Sequence, residues 1–192
     1  MITCYFGTMA AGKSTKLLQD RYNYEQKNVD VWVIKPAVDR TSEPIITSRL
    51  GISCEATVLD KIRWEDIIKR REFYHKIYMV DEVQFFKPKD IDSLIKLSDT
   101  YRKDIRTFGL LTDIHEKMFP ASAALVSAGC KIVWMETPCQ MIGCNNMATH
   151  HLRYHPSGWL MKDDKAVVVD DGKVNYKSVC RQCYDREMQK KR

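Results

Sequence analysis

Gly7-Thr8-Met9-Ala10-Ala11-Gly12-Lys13-Ser14 decides how this chain is read. The spacing G-x-x-x-x-G-K-S is that of a loop that wraps phosphate groups in backbone N–H donors. Gly7 and Gly12 stand where the backbone must bend or approach a ligand closely, which a side chain would obstruct. Lys13 is placed to reach the β- and γ-phosphates, and the Ser14 hydroxyl to ligate Mg²⁺. The flanks agree with this reading. Residues 2–6 are an apolar run suited to a buried strand, and Leu17, Leu18, Arg21, Tyr22 and Tyr24 follow at roughly helical spacing. A helix that starts at the end of the loop turns its partial positive charge toward a bound anion.

Further along, Lys76-Ile77-Tyr78-Met79-Val80-Asp81-Glu82 is the second deciding stretch. An apolar strand that ends in two carboxylates puts them at the sheet edge where open α/β sheets bind ligands. Asp81 is expected to hold Mg²⁺, directly or through water. Glu82 is expected to act as a base or to position a hydroxyl. Between the two stretches, residues 29–34 form a near-continuous apolar strand of the buried parallel kind. Residues 37–44 read as a surface loop, 45–51 and 54–59 as short strands, and 64–71 as a helix. Arg49 is a candidate phosphate contact. Helices at 88–101 and 121–130 and strands at 105–111 and 131–136 complete the alternation. The expected fold class is therefore α/β, a P-loop-type, mostly parallel sheet flanked by helices over residues 1–137.

Composition bounds the rest. The 192 residues are 44% hydrophobic, enough for one domain with a small satellite and too apolar for disorder. The net charge of +6 is moderate, and part of it lies in Lys190, Lys191 and Arg192, read as a solvated tail. No apolar run nears the ~20 residues of a membrane span. No secretory pattern opens the chain, so a cytoplasmic protein is expected. Of seven cysteines, Cys139-x4-Cys144 and Cys180-x2-Cys183 form two close pairs in the last third. Four such thiolates point to a structural Zn²⁺ site, in a segment with too few apolar residues for its own core. Free thiols or redox chemistry are the alternative. Cys4, Cys54 and Cys130 read as small core residues. His150, His151 and His155 lie near the pairs, but four cysteines already complete a tetrahedron. A nucleic-acid-binding face would need clustered basic residues, whereas Asp163, Asp164, Asp170 and Asp171 interrupt this segment.

In order, G-T-M-A-A-G-K-S-T-K-L-L, K-P-A-V-D-R, S-R-L-G, D-E-V-Q-F-F, G-L-L-T-D and Y-K-S-V-C-R-Q-C-Y resemble the zinc-containing, homotetrameric thymidine kinases of bacteria, phages, poxviruses and animals. The resemblance covers nearly the whole chain. It implies ATP-dependent phosphorylation of the thymidine 5′-hydroxyl to thymidine monophosphate, in deoxynucleotide salvage for DNA synthesis. It also implies a P-loop kinase domain over 1–137, a zinc-binding lasso domain over 138–192, a homotetramer, and feedback inhibition by thymidine triphosphate. Neither nucleic acid nor a membrane is an expected partner.

By this resemblance ATP and Mg²⁺ fall on Gly7, Thr8, Met9, Ala10, Ala11, Gly12, Lys13 and Ser14, joined by Asp39, Arg40, Asp81, Glu82, Val83 and Gln84. Lys13 and Glu82 carry catalysis, Glu82 as the base. Met9, Phe85, Leu110, Ile114, Phe119 and His151 surround the thymine. Val167, Val168, Val169, Asp170, Asp171 and Tyr176 match a lasso that closes over the base with main-chain groups. The chain departs from the family in several places. Ile114 replaces a phenylalanine and His151 a threonine or small apolar residue. Asp171-Gly172 replaces Gly-Gly, Asp39-Arg40 is one residue shorter than usual, and the first cysteine pair is wider. Selectivity among thymidine, deoxyuridine and 5-substituted analogues is therefore expected to differ from that of a typical relative. Two other readings are a P-loop kinase or NTPase for another nucleoside, and a zinc-ribbon module that binds nucleic acid.

Overall fold

A computed structural model describes residues 1–37, 43–59, 75–162 and 174–190. Asp39, Arg40, the expected helix at 64–71 and the lasso residues Val167, Val168, Val169, Asp170 and Asp171 lie outside the described residues. Strand β1 (Ile2–Gly7) leads through the glycine loop into helix α1 (Lys13–Glu25). β2 (Val31–Lys35), β3 (Ile45–Thr47), β4 (Ser53–Glu55), β5 (Thr57–Val58) and β6 (Ile77–Val80) follow. Then come α2 (Pro88–Asp99), β7 (Asp104–Gly109), α3 (Pro120–Ser127) and β8 (Lys131–Met135). The last part holds β9 (His150–Tyr154), β10 (Asn175–Val179) and α4 (Arg181–Gln189).

Six strands pair in the order β5-β2-β6-β7-β1-β8, every pair parallel. The expected α/β sheet is thus present. Its two faces bury different residues. Leu17 and Leu18 of α1 pack on Val33, Met79 and Phe108. Ile91, Leu94 and Leu97 of α2 and Ala121 and Leu125 of α3 pack on Cys4, Phe6, Ile34 and Val80. Proline at the first position of α2 and α3 costs no hydrogen bond there. The Asp90 carboxylate accepts from Lys87 N at 2.9 Å and closes the start of α2.

Local detail differs from the sequence reading. The expected strand at 54–59 is two pieces. Ala56 N turns aside to donate to Pro44 O at 2.7 Å. β4 therefore pairs antiparallel with β3, while β5 joins the main sheet. The first helix, expected over 13–27, stops at Glu25 because Asn28 takes a left-handed conformation (φ 53°) and Val29 N bonds Tyr24 O. Cys4 is fully buried as expected, and Cys54 and Cys130 are half-buried. After β8, β9 and β10 form an antiparallel hairpin, and α4 packs beside it around the cysteines. Among the described residues no helix is long and apolar enough to cross a membrane.

Candidate active site

The glycine loop joins the C-terminal end of β1 to the N-terminus of α1. Gly7 has its own steric reason: a Cβ there would strike the Met135 carbonyl of β8. Gly12 is needed for its left-handed φ of 77°, and Ala10 adopts φ 64° without that freedom. Lys13 Nζ donates to Gly7 O at 3.1 Å and Thr8 O at 2.7 Å. Ser14 Oγ donates to Asp81 Oδ2 at 3.0 Å, so the loop meets the end of β6 across the intervening β7. Burial pushes Asp81 up to about 7, the neighbouring Glu82 charge adds to this, and the Ser14 bond opposes it. Burial lowers Lys13, partly offset by Glu82 and Asp81, and the Arg49 charge lowers it further. Lys13, Ser14, Asp81, Glu82 and Arg49 therefore form one electrostatic cluster.

Glu82 leaves β6 in the left-handed region (φ 49°) and is followed by a 3₁₀ turn, Val83–Phe85. Such a conformation in a non-glycine residue stores strain that the surroundings must hold. Gln84 does the holding. Its Nε2 donates to Glu82 Oε2 at 2.5 Å, and its Oε1 accepts from Leu110 N at 3.0 Å. Ser122 Oγ fixes the other side of Leu110 by donating to its carbonyl at 2.7 Å. Phe85 and Phe119 meet edge to face, with centroids 6.3 Å apart. Ile114 is buried, and its carbonyl accepts from Tyr184 OH at 2.8 Å. Glu116 of the same loop pairs with His150 at 3.0 Å and with Arg181.

Cys139, Cys144, Cys180 and Cys183 bring their sulfurs within 4.8 Å of one another, and Cys144 Sγ and Cys180 Sγ are 3.7 Å apart. Thiolates ~2.3 Å from one tetrahedral ion lie roughly 3.8 Å from each other, so the four fit a single metal. The x4 spacing leaves Cys139 inside the cluster. Donors surround the sulfurs: Cys180 N to Cys139 Sγ at 3.3 Å, and Arg186 to Cys183 Sγ at 3.5 Å. The nearby histidines are engaged elsewhere. His150 pairs with Glu116, His155 stacks on Trp159, and His151 Nε2 accepts from Met9 N at 2.8 Å.

Tyr176 lies half-buried on β10. Four residues that position the site were not singled out from sequence: Gly109, Glu116, Ser178 and Tyr184. Ser178 and Tyr184 sit inside the motif Y-K-S-V-C-R-Q-C-Y and Gly109 opens the motif G-L-L-T-D, but a motif does not show which atoms crowd a glycine in the fold.

The family model described as thymidine kinase matches residues 1–184. A thymidine kinase of Enterobacteria phage T4 is 32% identical over 190 residues, covering 97% of this chain and 95% of that protein. A thymidine kinase of Idiomarina loihiensis is 32% identical over 194 residues, covering 98% of each chain. One from Mannheimia succiniciproducens is 32% identical over 181 residues, covering 92% of this chain and 91% of that protein.

Proposed function

The chain belongs to the thymidine kinase family, and we infer that it transfers the γ-phosphoryl group of ATP to the 5′-hydroxyl of thymidine through the residues gathered at the ends of β1 and β6. The observation that carries this reading is the meeting of buried Lys13 and Asp81 with half-buried Ser14 and Glu82 in one cluster. Glu82 accepts the proton of the 5′-hydroxyl as that oxygen bonds to the γ-phosphorus. The bond to the bridging oxygen breaks, and ADP leaves with the electron pair. Lys13 offsets charge on the transferred group, the loop N–H groups cradle the phosphates, and Gln84 keeps the Glu82 carboxylate aimed. Ser14 and Asp81 would hold Mg²⁺, which supplies charge neutralisation at the phosphates when bound. Met9, Phe85, Leu110, Ile114 and Phe119 form the base pocket, closed by the lasso residues and Tyr176. Asp39 and Arg40 join the nucleotide side.

Residues 1–137 act as the kinase domain and 138–192 as a lasso domain stapled by Zn²⁺ on the four cysteines. The fit of the cysteine cluster to one tetrahedral ion supports this assignment. Assembly as a homotetramer fits the exposed apolar edge of the sheet, where Ile132 and Trp134 of β8 face outward. Thymidine triphosphate, which carries both the base and the phosphates, would inhibit by filling the same site.

The test is phosphoryl transfer from ATP–Mg²⁺ to thymidine, deoxyuridine and deoxycytidine, with Glu82→Gln as control. Thymidine turnover is expected, falling roughly 10²–10⁴-fold in the variant, while the variant still binds ATP. Turnover confined to another nucleoside would keep the kinase and overturn the substrate.

A further inference from the structure

Both main-chain groups of Met9 are taken by the hairpin that follows the first cysteine pair. Met9 N donates to His151 Nε2 at 2.8 Å, and Met9 O accepts from Ser178 Oγ at 2.6 Å. His151 and Ser178 are direct partners in the β9–β10 register. Both are buried, at 5% and 0% exposure. Their strands are tied to the cysteines. Gln140, next to Cys139, takes Ser178 from both sides: Gln140 N donates to Ser178 O at 2.9 Å, and Ser178 N donates to Gln140 Oε1 at 2.7 Å. Thr149 N closes the hairpin on Val179 O at 2.8 Å.

The loop's own bonds run from Lys13 Nζ to Gly7 O and Thr8 O and from Ala11 N to Thr8 O, and they leave the Met9 main chain to the hairpin. Ala10, Ala11 and Gly12 carry no side-chain donor or acceptor, and Ala10 occupies the left-handed region that a non-glycine residue resists. Met9 immediately precedes that residue. A clamp on its N–H and C=O fixes the peptide planes on either side of Met9, which set where the following loop amides point. An imidazole can accept at Nε2 only when neutral with its proton on Nδ1. Burial, the Lys13 charge and His150 push His151 down to about 4, which keeps it neutral at physiological pH.

We propose that His151 and Ser178 are positioning residues that clamp Met9, so that the cysteine-anchored hairpin sets the nucleotide-binding shape of the phosphate loop. The proposal rests on the kinase reading and places the main effect of His151 on the ATP side, through Met9, rather than on the base.

The experiment compares His151→Leu, His151→Gln and Ser178→Ala in the full-length protein. KM for ATP, the thymidine-to-deoxyuridine ratio of kcat/KM, and amide hydrogen exchange of the segment 7–14 are measured. Losing either bond is expected to raise KM for ATP roughly tenfold, the scale of one hydrogen bond, and to speed exchange in the loop. The two losses are expected to be less than additive, and His151→Gln, which keeps an acceptor, is expected to recover much of the effect. The nucleoside ratio, which Met9 also touches through the base pocket, is expected to shift by a smaller factor than KM for ATP. Unchanged KM and exchange would overturn the clamp. So would a loss confined to the nucleoside ratio, which would make His151 a reader of the base. If His151→Leu fails to fold, Ser178→Ala, which removes one oxygen, carries the test. If the unaltered protein transfers no phosphate, the kinase reading fails by itself. The exchange rates and the binding of a non-hydrolysable ATP analogue still decide the clamp.

Discussion

A histidine buried as a neutral acceptor leaves a signature in acid. His151 has a folded-state pKa of about 4 against an ordinary 6.5. Between those values the unfolded chain binds a proton that the folded chain refuses, so stability falls as pH drops through that window. The contribution is fully present above pH 6.5, and the gap amounts to roughly 3 kcal/mol. Carboxylates also titrate in acid, so the diagnostic quantity is a difference. His151→Gln is expected to show a shallower loss of urea midpoint between pH 6.5 and 4 than the unaltered protein. Equal slopes would mean that His151 protonates without strain. At this scale the sequence shows which residue types stand where, and it singles out Lys13, Ser14, Asp81 and Glu82 because their motifs are local. It does not show what His151 bonds, since its partner lies 142 residues away in the chain.

Elements decide how the two strands that carry the candidate site stay in register. β7 lies between β6 and β1, and it must end in glycine because the chain leaving β6 crosses over it. A Cβ on Gly109 would sit 2.5 Å from Gln84 Oε1 and 2.8 Å from Val83 Cγ1. Gln84 cannot swing away without releasing either Glu82 or Leu110 N. Gly109→Ala is therefore expected to destabilise the fold by about 1–3 kcal/mol, the usual cost of overpacking. It should also lower kcat some 10- to 100-fold as the Glu82 carboxylate loses its aim. KM for ATP should change little, because the glycine loop hangs from β1. Denaturant midpoints and steady-state kinetics check both parts, and an unchanged kcat would show that the Gln84 bridge is dispensable. β1, β6, β7 and α2 were legible because buried parallel strands and one-sided helices write continuous or periodic apolar patterns. β10 and α4 were not. Their stretch, from Asn175 to Gln189, is mostly polar, and its buried residues gather around the cysteines rather than around an apolar core. The strands β3 and β4 fall in the stretches expected as short strands at 45–51 and 54–59, but their antiparallel pairing was hidden, since three-residue strands carry too few positions to show which partner they take.

For the whole molecule the open question is the edge of the sheet. The order ends at β5 on one side, only two residues long, and at β8 on the other. A five-residue edge strand offers a row of backbone donors and acceptors, and proteins that stay monomeric blunt such edges with charge, proline or bulges. β8 begins with Lys131 but then exposes Ile132 at 37% and Trp134 at 59%. The ring of Trp134 lies 6.4 Å from that of Phe6 in the core. A large aromatic half in water on an unblunted edge is the composition of an interface centre, where tryptophan is enriched. The expected homotetramer would accordingly use β8 for one of its contacts. Replacing Trp134 with lysine puts a charge at the middle of that contact and leaves Lys13, Asp81 and Glu82 untouched. Light scattering on the eluting protein is expected to shift from four subunits toward two or one, and more so on dilution. A tetramer that persists at low concentration would place the subunit contacts elsewhere and leave the exposed tryptophan without a partner.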